Sequence, residues 1–419
     1  MDHFNYKNAE LYAEDVAVVK IAAAVGTPFY CYSHATLTHH YKVFAEGFKN
    51  RDVLICFAVK SNSSLAVIKT LADCGAGADV VSEGEIRRAL RAGVDAQKII
   101  FSGIGKTADE MKFALEQNIF QFNVESEAEL ELLSKIAAAL GKTANIAIRV
   151  NPDIDAGTNS KITTGLKTSK FGVDITQAPA LYKKAAQLPG IKIQGISVHI
   201  GSQITDFKPF ESAFLRVRDF WGELEKSGIK IPRLDLGGGI GVPYEQGKNP
   251  PHPREYAKMV CEIFKDFPGK LIFEPGRVLA GNAGILVSEV IYTKKNDERE
   301  FLIIDAAMND LIRPSFYNAH HDIIPIAQSS NLKAKTYDIV GPVCETGDTF
   351  AEKREMPELK AGDLVAFRTA GAYGAVMAST YNSRRIVPEV MVKADKFTLI
   401  SRRMSYEEML SREILPDWA

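Results

Sequence analysis

Between residues 54 and 276 one pattern recurs: a short apolar run ends in polar or glycine residues and is followed by a helical stretch. The runs are LICFAVK (54–60), ADVVS (78–82), KIIFSG (98–103), FQFNVES (120–126), NIAIRVNP (145–152), IQGISVHIG (193–201), RLDLGGG (233–239) and KLIFEPG (270–276). Segments such as SSLAVIKTLADCG and ESEAELELLSKIAAALG lie between them, with apolar residues three and four apart, as an amphipathic helix requires. Continuous apolar strands alternating with helices imply a parallel sheet covered by helices. Eight such units in roughly 225 residues fit a closed (β/α)8 barrel of the TIM type, and a doubly wound open sheet is the alternative. After residue 280 strand-like runs follow one another without regular helices: GILVSEVIY, FLIIDAAM, KTYDIVGP, DLVAFRT and RIVPEVMV. This second texture predicts an antiparallel β domain, so the class is α/β plus β. TPFYCYS (27–33) is a further candidate strand that the pattern assigns to neither part.

Composition narrows the function. The formal net charge is −1 and no basic stripe is present, which argues against nucleic acid and against an electrostatically held membrane surface. No apolar run approaches the roughly 20 residues that span a bilayer, and the charged start MDHFNYKNAELYAED lacks the apolar core of a signal peptide. The five cysteines show no C-x-x-C spacing, so reduced thiols in a cytoplasm are expected, and no metal site.

Barrels of this kind place their chemistry at the C-terminal ends of strands. Those ends carry Lys60, Ser102, Glu125, Arg149 with Asn151, His199 with Ser202, Gly237–Gly238–Gly239, and Glu274 with Arg277. Taken singly, each has an ordinary reading. A rim lysine holds its ammonium in water, a glycine run makes a tight turn, a histidine sits satisfied in a core, and Glu274 pairs with Arg277. Taken together they suggest a lysine that forms a Schiff base, glycines that let backbone approach a phosphate, and an acid facing a pyridine nitrogen. That combination is pyridoxal phosphate.

The motifs FAVKSN, ADVVSEGE, TGLKTSKFG, HIGSQ, GGGIG, EPGR, RPSFYNAHH, GPVCETGD and GAYGAVMASTYNSR occur in that order over nearly the whole chain. In this the sequence resembles the barrel-type pyridoxal-phosphate decarboxylases that share a fold with alanine racemase. Within that family it is most similar to the branch acting on meso-2,6-diaminopimelate. The resemblance implies a barrel over 35–280 and a β domain built from 1–34 plus 281–419, which would take in TPFYCYS. It implies that Lys60 carries the cofactor, that His199 stacks on the ring and that Glu274 pairs with the pyridine nitrogen. Ser202, Gly238, Gly239, Gly276 and Arg277 would hold the phosphate, aided by Tyr373. Asp79, Glu85 and Arg149 would support lysine, ring and histidine. A homodimer is implied, with Cys344 of one chain reaching the other chain's cofactor to return a proton to the substrate.

A glutamate on the ring nitrogen keeps the ring cationic and favours loss of CO2, whereas an arginine there, as in the related racemases, weakens the electron sink. For the far end of a small amino-acid substrate the chain offers Arg277, Arg313, Tyr317, Glu345 and Tyr373. Arginines bind carboxylates and a carboxylate pairs with an ammonium, and the distal carbon of meso-diaminopimelate bears both groups. The expected reaction is its decarboxylation to L-lysine and CO2, the last step of lysine biosynthesis. The alternative is a polyamine precursor such as carboxynorspermidine, ornithine or arginine. Ser61, Ser197 and Thr346 depart from residues frequent in the family, without removing a group the chemistry needs.

Overall fold

The computed structural model describes residues 2–157, 159, 161–162, 164–165, 169–245, 250–328 and 333–418. Residues 166–168 of TGLKTSKFG, and part of the 153–172 loop raised as a possible lid, lie outside them. The chain divides into two compact units, one of residues 1–37, 243–248 and 280–419, the other of residues 38–242 and 249–279.

The second unit is a closed barrel. Its strands are β1 (Val53–Ala58), β2 (Gly77–Val80), β3 (Ile99–Phe101), β4 (Gln121–Val124), β5 (Ala144–Asn151), β6 (Ile191–Ser197), β7 (Arg233–Asp235) and β8 (Lys270–Phe273). They pair in chain order, every pair is parallel, and β8 pairs with β1 to close the ring. The strands are buried almost throughout, which is why they read as unbroken apolar runs rather than as alternating ones. Leu54, Cys56, Ile100 and Ile272 form a small apolar cluster drawn from strands that are not all neighbours. Such layers fill the interior of a barrel and leave no pore.

Side-chain caps turn the chain from strand into helix close to the catalytic rim. Ser82 accepts the Glu85 N–H to start helix Glu83–Arg91, and Ser126 does the same through Glu129 for helix Glu127–Ala139. Thr107 and Glu110 form a reciprocal pair that opens helix Ala108–Glu116. Each cap satisfies amide groups that a helix start leaves without intrahelical partners.

The first unit is built on a sheet running Thr349–Pro357, Ala334–Val340, Glu300–Ile304, Gly284–Lys295, Phe29–Ser33, Glu389–Lys393 and Lys396–Ser401, with Leu364–Phe367 also paired to Gly284–Lys295. The expected antiparallel character holds for most pairs. Two pairs run parallel: Phe29–Ser33 with Glu389–Lys393, and Glu300–Ile304 with Ala334–Val340. Both join strands far apart in sequence, so no tight hairpin dictates their direction. TPFYCYS thus supplies a central strand of this sheet, between Gly284–Lys295 and Glu389–Lys393. Three short antiparallel strands before it, from Phe4 to Ala17, had no clear signal in the sequence.

Candidate active site

Lys60 sits on a single 3-10 turn, Val59–Ser61, immediately after β1. Its Nζ donates to Asp79 Oδ2 at 2.6 Å; the lysine side chain is 34% exposed and the Asp79 side chain not at all. The cation at the strand tip is therefore held by an acid inside β2 and is not simply dissolved in water. The other oxygen of Asp79 is buried without a hydrogen-bond partner. Glu85 accepts the Val81 N–H at 2.8 Å, and burial pushes its carboxyl up to about 7 against the pull of that bond.

A polar layer crosses the barrel beside this pair. Asn123 of β4 directs Nδ2 at Asp235 Oδ2 (2.8 Å), Glu274 Oε1 (3.1 Å) and Ser102 Oγ (3.1 Å). Asp235 also accepts the Gly237 N–H at 3.1 Å and shares the Asn123 amide with Glu274. Burial raises both: Asp235 goes up to about 6 against the pull of its hydrogen bonds, and Glu274 is held well above the ordinary carboxylate range by burial and then by Asp235 and Asp79, with Lys60 opposing.

His199 follows β6. Gly238 donates its N–H to His199 Nδ1 at 3.2 Å, which makes Nδ1 the acceptor and leaves the imidazole proton on Nε2. Desolvation, then Arg149 and Lys60, push its pKa well down, so the ring is neutral at physiological pH. Arg149 of β5 donates to both oxygens of Glu125 (3.1 and 3.2 Å), lies 4.8 Å from the Phe171 ring centroid and reaches the His199 carbonyl at 3.5 Å. Glu125 in turn accepts the Gly103 and Gly172 N–H groups.

The glycine turn after β7 is required by crowding. A Cβ on Gly238 would stand 2.2 Å from the Glu274 carbonyl oxygen, and one on Gly239 2.4 Å from that of Gly201. One on Gly276 would meet Ser61 at 2.9 Å. Gly237 and Gly239 also have φ of +65° and +112°. Ser202 Oγ accepts from Arg277 Nη2 at 3.1 Å, bringing the loops after β6 and β8 together. Gly238→Ala is expected to lower stability by about 1–3 kcal/mol, the usual range for an overpacked site, and to weaken cofactor retention because Glu274 must shift. Denaturant unfolding and cofactor absorbance after dialysis check both.

The remaining expected site residues lie on the other unit. Arg313 opens the short helix Arg313–Tyr317, is buried, lies 4.2 Å from the Tyr244 ring centroid and pairs with His321 Nε2 at 2.6 Å. His321 Nδ1 faces the Arg368 carbonyl at 2.9 Å, which fixes the tautomer able to accept from Arg313. Tyr317 packs edge-on against Phe316. Cys344 and Glu345 are exposed; Asn382 Oδ1 accepts the Cys344 N–H at 2.8 Å, and Tyr381 is hydrogen-bonded to Glu345. Tyr373 has φ +56°, a conformation rare for a bulky residue and frequent at functional sites.

Residues 34–281 match the family described as pyridoxal-dependent decarboxylase, pyridoxal binding domain. The chain belongs to the pyridoxal-dependent decarboxylases. This decarboxylase is 49% identical over 421 residues to a protein of Zymomonas mobilis named diaminopimelate decarboxylase, with 99% of each chain covered. A protein of the same name from Haemophilus influenzae is 47% identical, again with 99% of each covered. Among solved structures, the diaminopimelate decarboxylase of Helicobacter pylori complexed with L-lysine matches with a TM-score of 0.91 and 40% identity, covering 94% of this chain and 98% of that one. The diaminopimelate decarboxylase of M. jannaschi matches with a TM-score of 0.95 and 35% identity, covering 99% of this chain and 98% of that one.

The barrel residues of this decarboxylase fit pyridoxal phosphate. Three acids, Asp79, Asp235 and Glu274, are buried together, Lys60 pairs with Asp79 and acts on Glu274, and an Asp79 oxygen has no donor. A protonated ring nitrogen facing Glu274 would add a positive charge to this group of acids. The glycines that close packing requires line the same rim. Asn123 and Asp235 escaped the sequence reading. The available signal was a polar residue between two apolar ones, Asn123 between Phe122 and Val124 and Asp235 between Leu234 and Leu236.

Proposed function

We propose that this chain decarboxylates meso-2,6-diaminopimelate to L-lysine and CO2, as a cytoplasmic homodimer whose sites are shared between subunits. The observation that carries the reading is a buried Glu274 among acids at the end of β8, on the strand paired with β1, whose end carries the lysine. Full-length relatives named for this substrate support it. When bound, pyridoxal phosphate supplies an electron sink for the bond that breaks.

The chain's own groups then have separate tasks. Lys60 anchors the cofactor through its amine, with Asp79 holding that amine in place. Glu274 keeps a proton on the ring nitrogen, and Asp235 and Asn123 hold Glu274. His199, neutral and oriented by Gly238, would hold the ring without adding charge. Ser202, Gly239, Gly276 and Arg277, with Tyr373, hold the phosphate. Arg277, Arg313, Tyr317, Glu345 and Tyr373 receive the distal carboxylate and ammonium of the substrate. Cys344 of the second subunit gives a proton to Cα after CO2 leaves. Five unpaired cysteines suit a reducing compartment, and no described helix is long and apolar enough to cross a membrane.

The test is CO2 release from meso-diaminopimelate, ornithine, arginine and carboxynorspermidine, with and without added pyridoxal phosphate. Turnover preferring meso-diaminopimelate, and dependent on the cofactor, is expected. Preference for ornithine would defeat the assignment.

A further inference from the structure

The loop 341–348 carries Cys344 and Glu345, both exposed, and is closely tied from within. Asp348 is 2% exposed. One of its carboxylate oxygens accepts the Val343 N–H at 2.7 Å, inside the loop, and the other accepts the Met308 N–H at 2.6 Å, outside it. Backbone bonds close the same ring: Gly341 N to Asp348 O (3.0 Å), Asp348 N to Glu345 O (3.0 Å) and Glu345 N to Val343 O (2.7 Å). Residue 341 must be glycine for this carboxylate to fit, because a Cβ there would stand 2.4 Å from Asp348 Oδ2. Ser315 Oγ adds a second tie by donating to the Gly347 carbonyl at 2.6 Å.

Met308 and Ser315 flank Arg313. One carboxylate therefore joins two segments: the loop assigned the proton donor and the ammonium ligand, and the arm assigned a carboxylate ligand. Burying a carboxylate is costly unless its oxygens find donors, and these two find backbone N–H groups that would otherwise be left without acceptors. We infer that Asp348 is a positioning residue for the reaction, setting Cys344 and Glu345 at a fixed distance from Arg313. The inference rests on the roles given to those three residues above.

The full-length holoenzyme carrying Asp348→Asn is the direct test. An amide at this position offers one acceptor oxygen and turns a donor toward the second N–H, so the loop is released on one side. Steady-state decarboxylation is expected to fall by about 10²-fold in kcat/KM, with kcat reduced as well as KM raised, since small misplacements of reacting groups cost on this scale. Cofactor absorbance is expected to stay as in the parent protein, because Asp348 lies outside the barrel. Iodoacetamide should alkylate Cys344 faster than in the parent, a change that a general loss of stability, checked by Tm, would spread to the other cysteines. Parental kinetics and parental Cys344 alkylation in the folded variant would overturn the inference.

A second measurement needs no variant. In the parent holoenzyme the Met308 and Val343 amides should exchange with deuterium far more slowly than those of Thr346 and Gly347; equal rates would overturn the inference even if Asp348→Asn fails to fold. If meso-diaminopimelate is not a substrate, the assigned reaction fails, while alkylation and amide exchange still decide the role of Asp348.

Discussion

Lys60→Ala is expected to lose the visible absorbance of the bound cofactor and to lose activity by about 10³-fold or more, at the upper end of what a single positioned acid–base group supplies. The reasoning starts from the 2.6 Å pair. Asp79 is fully buried and reaches the Lys60 amine with one oxygen only. Burial raises the neighbouring Glu274 carboxyl, and Lys60 is a cation that balances the acids around it. Alanine would remove the proposed covalent anchor and that balance together. The surrounding acids can answer by taking up protons, so far-ultraviolet circular dichroism should show a folded barrel. A fully active Lys60→Ala protein would refute the anchoring role.

The second large effect concerns sharing between subunits. Cys344→Ala is expected to reduce turnover by about 10²- to 10⁴-fold, the span of a lost proton donor, while leaving cofactor absorbance intact. Neither it nor Lys60→Ala should then support turnover alone. Mixed in equal amounts and allowed to exchange, the two should regain about one quarter of parental activity. Half of randomly formed two-fold dimers are mixed, and each of those has one of its two sites complete. Recovery requires Lys60 and Cys344 of one site to come from different chains. No recovery after subunit exchange has been verified would rule that arrangement out.

The barrel was legible because its strands are buried on both faces, so each stands out as an apolar run ending in a chemical group. Lys60, His199 and Glu274 could be picked out for that reason. Asn123 and Asp235 could not, since they lie within strands and 112 residues separate them; only closure of the sheet brings them together. The same holds for Tyr244 beside Arg313, and for Asp348, which accepts one N–H from Val343, five residues away, and the other from Met308, 40 residues away. In the sheet of the other unit, strand identity was readable from β-rich runs. Direction was not, because two of its pairs join strands without a hairpin between them.

The layer formed by Asn123, Asp235 and Glu274 sets the barrel's tolerance to improvement. Well-packed apolar residues commonly replace interior charged groups without loss of stability, and often with a gain. Selection for heat resistance alone would therefore tend to erase these positions and yield sturdier barrels unable to keep a vitamin-derived ring charged. For this chain, thermal robustness and chemical competence pull on the same three side chains in opposite directions, so a melting curve is a poor proxy for fitness.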